Sequence, residues 1–406
     1  MLQQMNYMEN SSKPVALASR VTSVDVYRGF VMLLMMAEVL NLSAVAKALP
    51  GSRFWQIIAF NQSHVEWTWL SLHDMIQPSF TFMVGLVLPY SIASRKSKGH
   101  TFKSLLLHTI KRSLILIFLG IFLRSIHAEQ TNFTFEDTLT QIGLGYTFLV
   151  LLAFKSPRIQ LLALLVLLLG YWLAFAVYPL PGPGFDYTAV GVPVDWPWLL
   201  DGYAGHWNKN SNLAWSFDTW FLNLFPRESP FLYNGGGYAT LSFIPTLGTM
   251  VIGLLAGNLL KSGSRPDRNI RQFIVMGLGL IAVGALLHFT GVNPVVKRIW
   301  TPAWTLFSGG VCLLFLVFFY WVVDVSGKDH WSFFLKVIGM NSIAAYVIAD
   351  GGIRDFINSS LHIHLGQQFD QVFGPTYQTV ISGVLVLFLE WLLLYWMYTK
   401  KIFIKI

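Results

Sequence analysis

Apolar runs of about twenty residues recur along this chain, and short polar stretches separate them. Runs of that length cross a bilayer as helices, because in lipid each segment must satisfy its own backbone hydrogen bonds. The pattern predicts ten spans, over 24–46, 74–94, 106–126, 137–154, 159–178, 238–260, 270–289, 302–324, 333–350 and 376–399. An eleventh, partly inserted segment is read near Phe54–Phe60. The expected fold class is all-α: a polytopic membrane helix bundle with about ten transmembrane helices, in one domain covering 1–406.

Lys and Arg placement orients the bundle. Lys13 and Arg20 precede the first run; Arg95, Lys96, Lys98 and Lys103 lie between the second and third; Lys155 and Arg158 follow the fourth. Lys261, Arg265, Arg268 and Arg271 separate the sixth and seventh, and Lys400, Lys401 and Lys405 close the chain. All fall on one side if both termini are cytoplasmic, and the opposite loop 127–136 has neither Lys nor Arg. The expected location is a bacterial inner membrane. The longest loop, 179–237, then lies outside. Its Gly, Pro and aromatic content suits an ordered cap over a cavity, since many tryptophans argue against disorder. Those rings serve either sugar stacking or interfacial anchoring.

Composition agrees with a membrane setting. Hydrophobic residues make up 54% of the 406 and charged residues 12%, with mean hydropathy +0.55. Soluble domains carry about 25% charged residues. The net charge of +8 sits in loop clusters, so the partners expected are membrane lipid and a small molecule, not nucleic acid. The single cysteine, Cys312, allows no intrachain disulfide and no cysteine-based metal site. No cleavable leader is read, and the first helix is expected to anchor the chain. A homodimer is the expected assembly.

The candidate chemistry starts with His64, which stands where the second run begins. A histidine there can take a proton from a nucleophile and return it to a leaving group. Asp74, ten residues on, either holds that imidazole or caps the helix. Glu38 lies deep in the first run and Glu390 in the last, where a charge costs about 2.5–3.5 kcal/mol. Arg28 and Asp25 sit three apart, as a pair would. Lys111 and Arg112 either snorkel or bind the phosphates of a cytosolic cofactor. Gln141 and Asn341 either line a pocket or join helices. His362 and His364 are read as belonging to a solvated loop, and no metal site is expected.

Several stretches together resemble a known family. "SVDVYRGFVMLLMM" followed by "HVEWTWLSLHDMIQPSFTFMVG" is similar to the opening of the transmembrane acyltransferase family that includes heparan-α-glucosaminide N-acetyltransferase. The matching residues are Asp25, Arg28, Gly29, His64, Trp67, Asp74, Pro78 and Phe80. "TLTQIGLGY", "GYATLSFIPTLGTMVIGLLAG", "NPVVKRIWTPAWTLFSGG" and "FFLKVIGMNSIAAY" resemble later motifs in the same order. The wording "LHDMIQPSF" resembles bacterial members linked to amino-sugar use. Thr140 and Ile142 depart from the family pattern, and a family asparagine is replaced near Glu38 or Val39.

The resemblance implies transfer of an acetyl group from cytosolic acetyl-CoA to an amino sugar at the outer side. The family's active-site histidine maps to His64, with Asp74 and Glu38 as its candidate helpers. Arg28, Lys111, Arg112, Gln141 and Asn341 are the candidate donor-binding residues. Trp67, Asn234 and Trp304 are the candidate acceptor-binding residues. The opposing reading is a sugar transporter or flippase without covalent chemistry, which intramembrane carboxylates suit equally.

Overall fold

The computed structural model describes residues 21–404, so the predicted orientation signals at Lys13, Arg20 and Lys405 lie outside the described residues. The fifteen α-helices are α1 (Thr22–Met36), α2 (Leu42–Ala48), α3 (Arg53–Asn61), α4 (Ile76–Ser97), α5 (Phe102–Ser125), α6 (Thr138–Ala153), α7 (Pro157–Val177) and α8 (Leu213–Phe221), followed by α9 (Phe243–Lys261), α10 (Pro266–Phe289), α11 (Pro302–Phe319), α12 (Phe333–Met340), α13 (Ser342–Asp350), α14 (Ile353–Leu365) and α15 (Gln378–Thr399). Among the described residues there is no strand beyond one isolated antiparallel bridge, Thr68 to Val296. Six helix starts carry recognisable signals. Thr101, Asp137, Asn212 and Thr301 accept hydrogen bonds from first-turn amides, and α7, α10 and α11 begin with Pro.

Among the described residues, seven helical segments are long and apolar enough to cross a membrane, and nine if two bent pairs each count as one span. α6 is also apolar, but it has sixteen residues. The predicted span 24–46 is bent by 46° at Asn41, whose backbone is left-handed at φ 43°. Asn tolerates that conformation better than most residues. The predicted span 333–350 is bent by 70° at Asn341. The segment near Phe54–Phe60 forms the nine-residue α3, which is too short to cross.

α4 and α9 approach with backbones in contact. A Cβ on Gly85 would strike the Met250 carbonyl, and one on Gly253 the Phe82 carbonyl. Small residues allow such contact where lipid gives no hydrophobic drive between helices. The segment 179–237 is built from α8 and short 3-10 turns around a second apolar cluster of Trp67, Trp196, Trp207, Tyr171 and Phe175. Val296 and Ile299 join that cluster, so it holds together the loops on either side of the bridge. His362 and His364 fall on α14, not in the solvated loop expected for them. There His362 Nε2 pairs with Asp370 at 3.3 Å.

Candidate active site

Two loops far apart in sequence lie side by side at one end of the bundle. The Thr68–Val296 bridge and the Trp69 amide, donating to the Val295 carbonyl at 3.0 Å, align them. Trp69 adopts φ 79° to make this turn. Arg298 reinforces the join by donating to the Val65 carbonyl at 3.0 Å and the Gly236 carbonyl at 2.9 Å. Trp67 anchors the first loop from below: it is fully buried, and its indole N–H reaches the Trp207 carbonyl at 3.2 Å.

This arrangement brings His64, Asp74 and Lys297 together. His64 Nδ1 lies 2.8 Å from Asp74 Oδ1 and 3.0 Å from Lys297 Nζ, and Lys297 Nζ lies 3.2 Å from the same Asp74 oxygen. Nδ1 can donate to Asp74 or accept from Lys297, but not both. If Nδ1–H donates to Asp74, the ammonium also rests on the carboxylate, and every group is satisfied. That tautomer leaves Nε2 as an acceptor. The other Asp74 oxygen accepts from the Val65 and Ser71 amides and the Ser71 hydroxyl, at 3.2, 3.0 and 3.0 Å, which fixes the carboxylate in place.

Asp74 and Lys297 are buried, with side chains 1% and 4% exposed, while 38% of the His64 side chain is accessible. That accessible part faces a cavity of about 370 Å³. Burial, seconded by the Lys297 charge, lowers the His64 pKa from 6.5 to about 4. The ring is therefore neutral near pH 7, the state a general base requires.

Glu38 lines the same cavity, but its partner is His73, with Oε1 2.9 Å from Nε2. The His73 ring lies 4.5 Å from that of His64. Arg354 stands behind Glu38 at 3.9 Å, binds the Met36 carbonyl at 3.1 Å and reaches the buried Glu390 at 3.4 Å. Arg124, Glu136, Asp350 and Tyr238 complete the polar wall.

The other predicted residues are placed elsewhere. Gln141 donates to the Phe135 and Thr240 carbonyls at 2.7 and 3.2 Å, and joins α6 to the start of α9. Asn341 clasps the C-terminal segment through the Ile402 carbonyl and the Ile404 amide, at 2.7 and 2.9 Å. Arg112 hydrogen-bonds Tyr146 OH at 2.9 Å, Lys111 is exposed, and Arg28 lies 3.7 Å from Asp25. None of these five lines the cavity. Trp67 and Trp304 are fully buried outside its lining, and Asn234 forms the turn that presents Tyr238, accepting from the Gly236 and Tyr238 amides at 2.8 and 3.2 Å. Sequence reasoning missed Lys297 and His73. Lys297 carried one signal: a cation in a loop assigned to the side poor in Lys and Arg.

No family model matches the chain. It is similar to heparan-alpha-glucosaminide N-acetyltransferase of Homo sapiens, 25% identical over 433 aligned residues that cover 96% of the chain and 60% of the relative. The same-named protein of Mus musculus is 23% identical over 375, covering 81% of the chain and 53% of the relative. The chain thus spans between half and two thirds of the length of these curated relatives.

Proposed function

We propose that this chain is a membrane acyltransferase that moves the acetyl group of cytosolic acetyl-CoA to an amino sugar at the outer face, with His64 as general base. One observation carries the reading: a neutral imidazole, held through Nδ1 by a buried carboxylate, opens onto a cavity big enough for a small ligand. The names of the curated relatives support the same reaction class. His64 Nε2 takes a proton from the sugar amine as its nitrogen attacks the thioester carbonyl. Asp74 stabilises the imidazolium. The tetrahedral oxyanion then collapses, the C–S bond breaks, and His64 returns the proton to the departing thiolate. The products are the N-acetylated sugar and CoA thiol. An acetyl-His64 intermediate would use the same ring as nucleophile.

The acceptor we favour is a free amine, not a hydroxyl. The cavity lining carries four carboxyl groups (Glu38, Glu136, Asp137, Asp350) against two cations (Arg124, Lys297), a balance that favours an amino sugar, whose ammonium gives up one proton to a wall carboxylate before the nitrogen attacks. We place the donor's phosphates at the opposite, basic end, where Lys111 is exposed and Arg112 Nε has no partner among the described residues. Counting α6 with the nine spans gives ten, with both termini cytoplasmic in a bacterial inner membrane. The segment 179–237 is then the outer cap of a single domain, in a protein kin to bacterial amino-sugar acetyltransferases. The test uses purified chain in lipid vesicles with labelled acetyl-CoA and glucosamine. Acetylated sugar, lost in His64→Ala with folding retained, supports the reading. Glucosamine uptake into vesicles lacking acetyl-CoA, with no acetylated product, supports a transporter instead.

A further inference from the structure

The cavity lining holds charged groups besides His64 and Lys297 that the chemistry above uses only through their net charge. They include Arg124 near the end of α5, Glu136 just before α6, and Asp350 as the last residue of α13. Both carboxylates lie within electrostatic reach of the guanidinium. Yet among the described residues neither closes a salt bridge with it, and no side chain hydrogen-bonds any of the three. Asp137 next to them is different, because the Leu139 amide and the Thr140 hydroxyl occupy it at 2.8 and 2.7 Å.

Glu136 and Asp350 are half-buried and Arg124 is exposed, so their polar atoms stand open to a ligand, whose hydrogen bonds there replace those to water. The ligand type follows from the groups. Carboxylates accept from hydroxyls, a guanidinium donates to them, and the tyrosine rings of Tyr238 and Tyr346 in the same wall offer apolar faces for C–H groups. Donors, acceptors and flat faces around one small space suit a polyhydroxylated ring. A cavity of about 370 Å³ is at the small end of ligand pockets, and it suits one saccharide unit and not a chain laid full length.

We propose that Arg124, Glu136 and Asp350 form the hydroxyl-binding subsite of the acceptor, gripping one sugar ring so that its amine reaches His64. This rests on the acetyl-transfer reading, and it adds the residues that set acceptor specificity.

The test pairs steady-state kinetics with calorimetric binding of D-glucosamine in the absence of donor, using the full chain in nanodiscs. Glu136→Gln and Asp350→Asn are each expected to raise the KM and Kd for glucosamine about tenfold, the worth of one charge-assisted hydrogen bond. The KM for acetyl-CoA stays as in the wild type. Among 3-, 4- and 6-deoxyglucosamine, the analogue lacking a gripped hydroxyl binds the wild type about tenfold worse than glucosamine does, and it loses no further affinity in the matching variant. Unchanged glucosamine KM and Kd in both variants overturn the proposal, as does a deoxy series that binds as glucosamine does. If a variant fails to fold, the deoxy series on the wild type decides. If glucosamine binds, the variants weaken it and no acetyl group moves, the subsite stands and the acetyl-transfer reading falls.

Discussion

His64 and Lys297 are 233 positions apart, yet Nδ1 and Nζ lie 3.0 Å from each other over one Asp74 oxygen. Burial disfavours the imidazolium most, the neighbouring Lys297 ammonium adds to that, and Asp74 opposes both. The balance leaves the ring neutral at ordinary pH.

A pH dependence follows from that balance. His64 serves as base only when neutral, and its pKa is about 4, so kcat/KM, expressed per unprotonated amine, falls on the acid side with a midpoint near 4. Replacing Lys297 with Met removes the opposing charge and leaves Asp74. The midpoint then moves up toward the ordinary 6.5. A pH–rate profile of both forms checks this, and an unmoved acid limb in the variant would contradict the assigned contact.

Asp74→Asn keeps the acceptor for the Val65 and Ser71 amides but turns an amide N–H toward His64. Nδ1 must then accept, and Nε2 carries the proton into the cavity, the wrong tautomer for a base. In a triad-like arrangement the expected loss in kcat is about 10⁴-fold, with little change in acceptor affinity. Single-turnover acetyl transfer with a matched binding measurement tests it. A loss confined to KM would argue that Asp74 serves only to cap the helix.

Arg354 joins α14 to the end of α1 and to the buried Glu390 on α15. Removing one partner of a buried ion pair costs about 3–5 kcal/mol, because the other charge is stranded. Arg354→Met should therefore lower the unfolding temperature clearly, and adding Glu390→Gln should restore much of it. Thermal unfolding of the purified variants measures both effects. Equal stability of wild type and single variant would show the pair to be incidental.

The α4–α9 contact predicts a packing effect remote from the cavity. Gly253→Val places a side chain against the Phe82 carbonyl, so the helices must spread. Overpacking of this kind costs about 1–3 kcal/mol. Chemical denaturation or a thermal shift reads the loss, and retained wild-type stability would mean the helix pair can slide apart at no cost.

The chain alone determined the features that depend on local pattern. The apolar runs marked the helices because the bilayer demands a fixed length of self-bonded backbone, and His64 with Asp74 was legible because ten residues join a loop to the helix it precedes. Even there the bends escaped, since Asn41 and Asn341 break helices inside runs that pass together as apolar enough to span. Only the tertiary structure decided the rest. Lys297, Arg124 and Asp350 reach the cavity from loops and helix ends far along the chain, and hydropathy carries no record of which ends share a wall. Gln141 and Asn341, polar groups in apolar runs, were equally suited to pocket or joint. Folding tied them to backbone carbonyls and amides of neighbouring segments, because buried amides must find partners and those were nearest.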